Sequence, residues 1–170
     1  PARLYKVLRP AVDLLAGIPS VVYGFFGLVV IVPAVRQLFG GGKSVFTAAL
    51  LLAIMILPTI ISISEAALRS VPQSYYEGAL ALGATKERAI FGVSLPAARS
   101  GVSAGIILGI GRAIGETTAI VMIAGNQPII PNSIFSGVRT LTTNIILEIG
   151  YAQDLHREAL IATPAVLFIF

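Results

Sequence analysis

The sequence predicts an all-α, polytopic membrane protein, from its composition and from the pattern of its apolar residues. Of its 170 residues, 56% are hydrophobic and 12% are charged, and the mean hydropathy is +0.90. Soluble domains carry about 25% charged residues, so this chain has too little charge to give a globule its polar surface. The apolar residues form long runs without period-two alternation, which predicts membrane-spanning helices rather than strands.

Four apolar runs predict about four membrane spans. The runs cover about residues 14–35, 45–68 and 101–125, and the fourth begins near residue 159. Each of the first three has the roughly 20 residues that a helix needs to cross a hydrocarbon core of about 30 Å. Because the fourth run is cut short, we expect a fragment, truncated at both ends, of one transmembrane domain over residues 1–170.

The distribution of lysine and arginine predicts the orientation of these spans. The basic residues are concentrated in the N-terminal stretch and in residues 69–100, and fewer lie in the segments that alternate with them. Cytoplasmic loops of membrane proteins carry the excess of basic residues. We therefore expect residues 69–100 to form a cytoplasmic loop and residues 126–158 an outer loop, in which an amphipathic helix over 145–159 leads into the fourth span.

Several kinds of chemistry are not expected in this chain. It has no cysteine and a single histidine, so we predict no disulfide and no metal site. Residues 40–44, GGGKS, resemble the end of a phosphate-binding loop, but Gln37 stands where that loop needs a glycine. We expect a flexible turn there and no ATP site in the chain. We assign the net charge of +4 to membrane topology rather than to nucleic acid binding.

Residues 69–100 predict two short helices around a tight turn. Ser74, followed by Glu77 three residues later, has the spacing of a capping box, which predicts a helix over 75–82. Gly83 suits the left-handed residue that commonly ends such a helix.

The second helix of this loop is predicted over 86–93, with Thr85 as its N-cap and Pro96 as its end. The exposed face of the two helices is expected to mix charged with apolar side chains, which suits a docking surface on the membrane. An ordinary interhelical connection is the alternative interpretation.

The same loop resembles the cytoplasmic signature of the permease subunits of ABC importers. That signature has Glu-Ala-Ala, a glycine after three further residues, and Ile-x-Leu-Pro after nine more. This sequence keeps every spacing and departs only at Gly78, in place of alanine, and at Val93, in place of isoleucine. The matching residues are Glu77, Gly78, Ala79, Gly83, Val93, Leu95 and Pro96. The resemblance implies a type I, MetI-like helical bundle whose loop forms coupling helices that dock on separate ATP-binding subunits.

Arg112 and Glu116 are two charges within the apolar run 101–125. On an uninterrupted helix they share one face with Gly101 and Gly109, and small residues let a neighbouring helix approach closely. We therefore expect this face to point into the protein. A charge at mid-bilayer costs roughly 2.5–3.5 kcal/mol. We expect the two charges either to line a translocation path or to form an i,i+4 salt bridge that staples the helices.

Three stretches resemble the permease subunits of bacterial phosphate-specific ABC importers, PstC-type more than PstA-type. They are LAGIPSVVYGFFGLVVIVP, LAIMILPTIISISEAALRSVP and LGIGRAIGETTAIVMIAGN. The resemblance implies that Arg112, Glu116 and Thr117 belong to the substrate pathway. A guanidinium matches an oxyanion through bidentate hydrogen bonds. We hypothesise that Glu116 accepts the proton of hydrogenphosphate and so discriminates against sulfate.

We therefore expect a non-enzymatic, channel-forming subunit of an ATP-driven phosphate importer in the bacterial cytoplasmic (inner) membrane. The resemblance implies a PstA-type second permease subunit, two ATP-binding subunits that use ATP, and an extracytoplasmic phosphate-binding protein. It implies no cofactor bound by this chain itself. Two alternatives remain open: an importer of another oxyanion or small solute, and a membrane scaffold or sensor subunit that does not transport.

Overall fold

The computed structural model describes residues 2–169, with side chains from residue 4 onward, and it confirms the all-helical prediction for that part of the chain. Two helices contain a π-helical turn, at Gly27–Ile31 and at Ile90–Ser94. In chain order the helices are α1 (Ala2–Gly17), α2 (Ser20–Phe39), α3 (Val45–Ser70), α4 (Gln73–Ala81), α5 (Lys86–Ala97), α6 (Arg99–Gly115), α7 (Thr118–Ile123), α8 (Leu141–Glu148) and α9 (Asp154–Ile169).

Two helices of the described residues, α2 and α3, are long and apolar enough to cross a membrane, with mean hydropathies of 1.8 and 2.4. Helices α5 and α6 meet the same criteria only together, and they are bent by 69°. The fourth predicted run corresponds to α9, whose 16 residues are fewer than the roughly 20 of a full crossing. The described residues therefore contain two candidate spans, or three if the bent pair crosses as one, where the sequence predicted about four.

The first span begins later than predicted, because a proline divides the apolar run 14–35. Helix α1 ends at Gly17, and Pro19 precedes α2 with extended backbone, at ψ 145°. The residue before a proline is disfavoured in helical conformation, so Ile18 does not continue α1. The second span, predicted over 45–68, is confirmed as α3.

The chain forms two compact units, which we describe separately. The first comprises α1 and residues 56–114. The second comprises residues 18–55 and the chain from Gly115 onward.

The first unit ties α1 to the end of α3 through one carboxylate. Glu65 accepts hydrogen bonds from the Tyr5 hydroxyl (2.7 Å), from the Arg69 Nε (2.8 Å) and from Arg9. The pKa of Arg9 lies above its usual value, chiefly because Arg9 donates a hydrogen bond to Glu65 and secondly because it donates one to Asp13. Because three donors converge on Glu65, α1 has a defined place on α3.

The second unit has its core between α2, the beginning of α3 and α7. Leu51, Ile120 and Ile123 are at most 2% exposed and pack together. A Cβ added at Gly27 would lie 3.2 Å from both Leu51 and Ile123, so the absence of a side chain there lets the helices approach closely. Helix α7 is therefore fixed against α2.

The predicted outer segment (residues 126–158) contains turns, α8 and the beginning of α9. The helix predicted over 145–159 is wrong, because two different helices share that range. Thr140 caps α8 by accepting a hydrogen bond from the Thr143 N–H (3.3 Å), and α8 ends before Gly150. Local capping at Thr140 thus decides where α8 begins, rather than the apolar pattern.

Arg139 joins the parts of this outer segment. Its guanidinium donates to the Glu148 carboxylate (2.7 Å), to the Asn144 side chain (3.3 Å) and to the Asn126 backbone carbonyl (3.1 Å). Arg139 and Glu148 are 22% and 24% exposed, so this ion pair is partly shielded from water. It fixes α8 to the turn that follows α7.

The glycine-rich stretch 40–44 is a packed turn between α2 and α3. Gly40 has φ +77° and ends α2, while Ser44 is fully buried and accepts a hydrogen bond from the Thr47 N–H (3.3 Å). The Thr47 hydroxyl donates to the Gly42 carbonyl (2.6 Å). The sequence predicted a flexible turn, whereas these hydrogen bonds make it a defined start for α3.

Candidate functional site

The predicted third span is interrupted at the position of its charges. Helix α6 ends at Gly115 and α7 begins after Thr117, so the continuous helix predicted over 101–125 is divided. We call α6, α7 and the residues between them the broken segment. Arg112 lies in the last turn of α6, whereas Glu116 lies in the break. The stapling alternative assumed one continuous helix through both residues, whereas the helix is interrupted between them.

Side chains at the break replace the hydrogen bonds that a continuous helix would make. The Glu116 Oε1 accepts the Ala119 N–H (3.1 Å), and the Thr117 hydroxyl donates to the Gly115 carbonyl (3.2 Å). The Thr142 hydroxyl lies 3.5 Å from the Glu116 carbonyl, at the outer limit of a hydrogen bond. Helix ends leave backbone groups unpaired, so these contacts stabilise the interruption.

Arg112 is exposed, and its Nη1 donates a hydrogen bond to the Thr59 Oγ1 of α3 (3.1 Å). None of the ion pairs among the side chains of residues 4–169 includes Arg112. A guanidinium carries five N–H donors and a permanent charge. A neutral acceptor occupies one donor here, which leaves the charge uncompensated and suited to an anion.

Glu116 and Thr117 are half-buried. The Oε1 of Glu116 is held by the Ala119 N–H, and its Oε2 has no hydrogen-bond donor among the residues that the structure describes. One oxygen therefore holds the start of α7, and the other is free to accept a proton or a hydrogen bond.

Sequence reasoning missed Thr59. The hydroxyl stands directly after the buried Pro58, in an otherwise apolar stretch of α3. That isolated polar side chain was the only signal for it in the sequence. The side chains of the described residues include no group of three acidic or histidine residues that could hold a metal ion.

The glycines of α6 pack against α3, as predicted for the face that they share with Arg112, although Arg112 itself is exposed. A Cβ on Gly101 would overlap the Ala67 Cβ, and one on Gly109 would lie 2.6 Å from the Ile60 side chain. Gly105 lies between them and is buried. Helix α6 therefore approaches α3 along a row of small residues, and this approach brings Arg112 near α3.

The first helix of the 69–100 loop begins earlier than predicted. Helix α4 starts at Gln73, after Pro72, and no side chain caps it. Ser74 is therefore inside the first turn rather than at the N-cap. Glu77 accepts a hydrogen bond from the Gln73 side chain (2.7 Å) and does not form the predicted capping box.

The turn and the cap that follow are confirmed. Gly83 has φ +84°, and Thr85 caps α5 by accepting the Arg88 N–H (3.3 Å). Helix α5 continues past Pro96 instead of ending before it. The π-helical turn Ile90–Ser94 changes the hydrogen-bond spacing immediately before Pro96. The N–H that proline lacks therefore interrupts no regular series of α-helical hydrogen bonds.

A cleft of about 540 Å³ opens between α4 and α5, and three residues of the permease signature line it. These are Gly78, Ala79 and Val93. The other lining residues are Ser74, Tyr75, Leu82, Ala84, Arg88 and Gly92. Of the remaining signature residues, Glu77, Gly83 and Pro96 are exposed and Leu95 is half-buried. Leu82 is 92% exposed, so the loop presents apolar surface that suits a protein partner.

These features together define a helical membrane protein whose broken segment carries an exposed cation and whose 69–100 loop has a cleft and exposed apolar surface. The model of the binding-protein-dependent transport system inner membrane component family matches residues 1–170, and this chain belongs to that family. The resemblance to importer permeases is thereby confirmed.

Similar proteins with curated names support this family assignment. The probable ABC transporter permease protein YqgH of Bacillus subtilis (strain 168) is 47% identical over 148 residues, which are 86% of this chain and 48% of the relative. The phosphate transport system permease proteins PstC of Haemophilus influenzae and Mycobacterium leprae are 36% and 35% identical over 190 residues, covering 99% of this chain and 60% of each relative. The chain thus spans about half to three-fifths of the length of these relatives.

Proposed function

We propose that this chain is part of the channel-forming permease subunit of an ATP-driven importer of inorganic phosphate. The names of the PstC relatives supply the substrate class. The observation that carries the proposal is that Arg112, in the broken segment, is exposed and has no carboxylate partner among the described side chains. Its guanidinium is exposed and bonded to the neutral Thr59, so its positive charge is available to an anion.

Arg112, Glu116 and Thr117 are the proposed pathway residues, each for its own chemistry. Arg112 offers N–H donors and charge to phosphate oxygens. Glu116 has one carboxylate oxygen free to accept the proton of hydrogenphosphate, and sulfate has no such proton at neutral pH. The Thr117 hydroxyl holds the Gly115 carbonyl and so keeps the break in shape.

The 69–100 loop is the proposed docking surface for two ATP-binding subunits. The cleft between α4 and α5 and the exposed Leu82 support this assignment, because an apolar surface of this kind suits burial by a partner. In this proposal the partner subunits bind and use ATP. This chain binds no cofactor and catalyses no covalent step.

The remaining partners complete the proposed assembly in the bacterial cytoplasmic membrane. A PstA-type second permease subunit would supply the other part of the pathway, and an extracytoplasmic phosphate-binding protein would deliver phosphate to residues 126–158. The Arg139–Glu148 ion pair gives that segment a defined shape for such a contact.

The test uses the complete transporter in proteoliposomes that contain ATP, with labelled inorganic phosphate outside. Arg112→Ala should abolish accumulation, and Arg112→Lys should retain a small part of it, because lysine keeps the charge but not the bidentate fork. Arg36→Ala, which changes an exposed arginine near the end of α2, outside the proposed pathway and both proposed docking segments, is the matched control.

The same vesicles separate the alternatives. Full uptake by Arg112→Ala would exclude Arg112 from the pathway. Accumulation of molybdate but not of phosphate by wild-type vesicles would show that the importer carries another oxyanion. A wild-type complex that binds its ATP-binding subunits but accumulates neither anion would indicate a scaffold or sensor subunit.

A further inference from the structure

Thr59 is a polar residue placed within the apolar helix α3, directly after the buried Pro58. A hydroxyl in such a position costs free energy unless it is hydrogen-bonded. Threonine in a helix commonly donates to the backbone carbonyl one turn earlier, as Thr163 does to the Ala159 carbonyl (3.1 Å). Thr59 makes no such bond, and its Oγ1 is instead the acceptor for the Arg112 Nη1 (3.1 Å).

The direction of this hydrogen bond determines what the Thr59 hydroxyl can do next. Arginine has only donors, so Thr59 accepts from Arg112 and keeps its own hydrogen. No acceptor for that hydrogen is found among the residues that the structure describes. Donation from a charged group also polarises the hydroxyl and makes it a stronger donor.

Arg112, the donor of this hydrogen bond, also keeps groups that can bind an anion. Its single hydrogen bond to the side chains and backbone that the structure describes goes to a neutral oxygen rather than to a carboxylate, so this contact positions the guanidinium without neutralising it. A carboxylate in the place of Thr59 would position the guanidinium equally well, but it would compete with an incoming anion. Arg112 and Thr59 therefore present to an anion the unused N–H groups of the guanidinium and, next to them, the free hydrogen of the Thr59 hydroxyl.

We infer that Thr59 is a second anion-contacting residue, whose hydroxyl donates to an oxyanion oxygen while Arg112 binds the same anion. This inference rests on the proposed phosphate transport and adds a residue on α3 to the pathway. Thr59 also orients the Arg112 guanidinium, so its loss weakens anion binding in two ways.

The experiment measures uptake of labelled inorganic phosphate by the complete transporter in proteoliposomes, together with ATPase activity without phosphate as a check of assembly. Thr59→Val removes the hydroxyl and nearly keeps the shape, and it should raise KM about tenfold, as expected for a lost hydrogen bond to a charged group. Thr59→Ser restores the hydroxyl and should stay near the wild-type KM. Thr163→Val is the matched control, because it removes a hydroxyl that bonds only its own helix.

Unchanged KM in Thr59→Val, with normal wild-type uptake, would overturn the role of Thr59 alone. Equal impairment of Thr59→Ser and Thr59→Val, with basal ATPase retained, would also overturn it, because the methyl packing rather than the hydroxyl would then matter. Wild-type vesicles that hydrolyse ATP but accumulate no phosphate would overturn the proposed function, and this inference with it.

Discussion

Gly24 of α2 lies in direct contact with Ala119 of α7, so closely that a Cβ on residue 24 would stand 2.9 Å from the Ala119 Cα. The same Cβ would stand 2.8 Å from the Met122 Sδ. The methionine side chain can move aside, but the backbone of α7 cannot do so without leaving α2. Because Glu116 holds the first turn of α7, this contact also determines where the carboxylate lies.

Gly24→Ala should therefore displace α7 and lower the free energy of unfolding by about 1–3 kcal/mol, the usual cost of overpacking. The thermal midpoint of the purified transporter and its phosphate uptake should both fall. Gly111→Ala is the control, because a Cβ there meets no atom within 4 Å and alanine favours a helix. Equal midpoints for the two variants would contradict the close contact.

Gly101→Ala should separate α6 from α3, because its Cβ would overlap the Ala67 Cβ. The variant should lose stability and transport, through a shift of the helix that carries Arg112. The double variant Gly101→Ala with Ala67→Gly moves the methyl group to the other helix and should recover most of the loss. A double-mutant cycle on thermal stability measures this coupling, and purely additive effects would disprove the direct packing.

Gly83→Pro should uncouple ATP hydrolysis from transport, because proline cannot adopt the φ of +84° that the turn between α4 and α5 requires. Gly83→Asn is the matched variant, since asparagine tolerates left-handed backbone, and it should keep most of the coupling. The measurement is the ratio of phosphate transported to ATP hydrolysed in vesicles. Normal coupling in Gly83→Pro would show that this turn does not take part in docking.

Arg139→Leu should loosen the outer segment, because it leaves Glu148 and the Asn126 carbonyl without their donor. Unpaired, partly buried groups of this kind cost about 1–3 kcal/mol. Limited proteolysis from the outer side of sealed vesicles should cut residues 126–158 faster in this variant. Arg157→Gln changes an exposed arginine and should leave the rate unchanged. Equal cutting rates in both variants would argue against a structural role for the Arg139–Glu148 pair.

Features that depend on local chemistry were predictable from the sequence. The left-handed Gly83 and the cap at Thr85 follow from residue types within one or two helical turns, and the extent of α3 follows from its uninterrupted apolar run. Where two local rules compete, the prediction was wrong. Pro96 was expected to end α5, but the π-helical turn before it accommodates the proline.

The candidate site was predictable only in part, because its geometry depends on contacts between distant parts of the chain. The charges of Arg112 and Glu116 stand out in the sequence, but the helix that should carry both is interrupted. No proline stands between Gly101 and Gln127 to oblige the helix to break. Helix α7 takes its direction from the contact of Gly24 with Ala119, far away in sequence. The pairing of Arg112 with Thr59 likewise requires the packing of α6 on α3.

The interruption at Gly115 limits what can surround the protein at that depth. In hydrocarbon, an unpaired backbone N–H or C=O costs on the order of several kcal/mol, so irregular backbone is tolerated only beside protein or water. The hydrogen bonds of Glu116, Thr117 and Thr142 serve backbone groups at this break. Protein or water suits this irregular backbone better than lipid tails do, whereas the exposed apolar face of α2 around Phe25 and Val29 suits lipid.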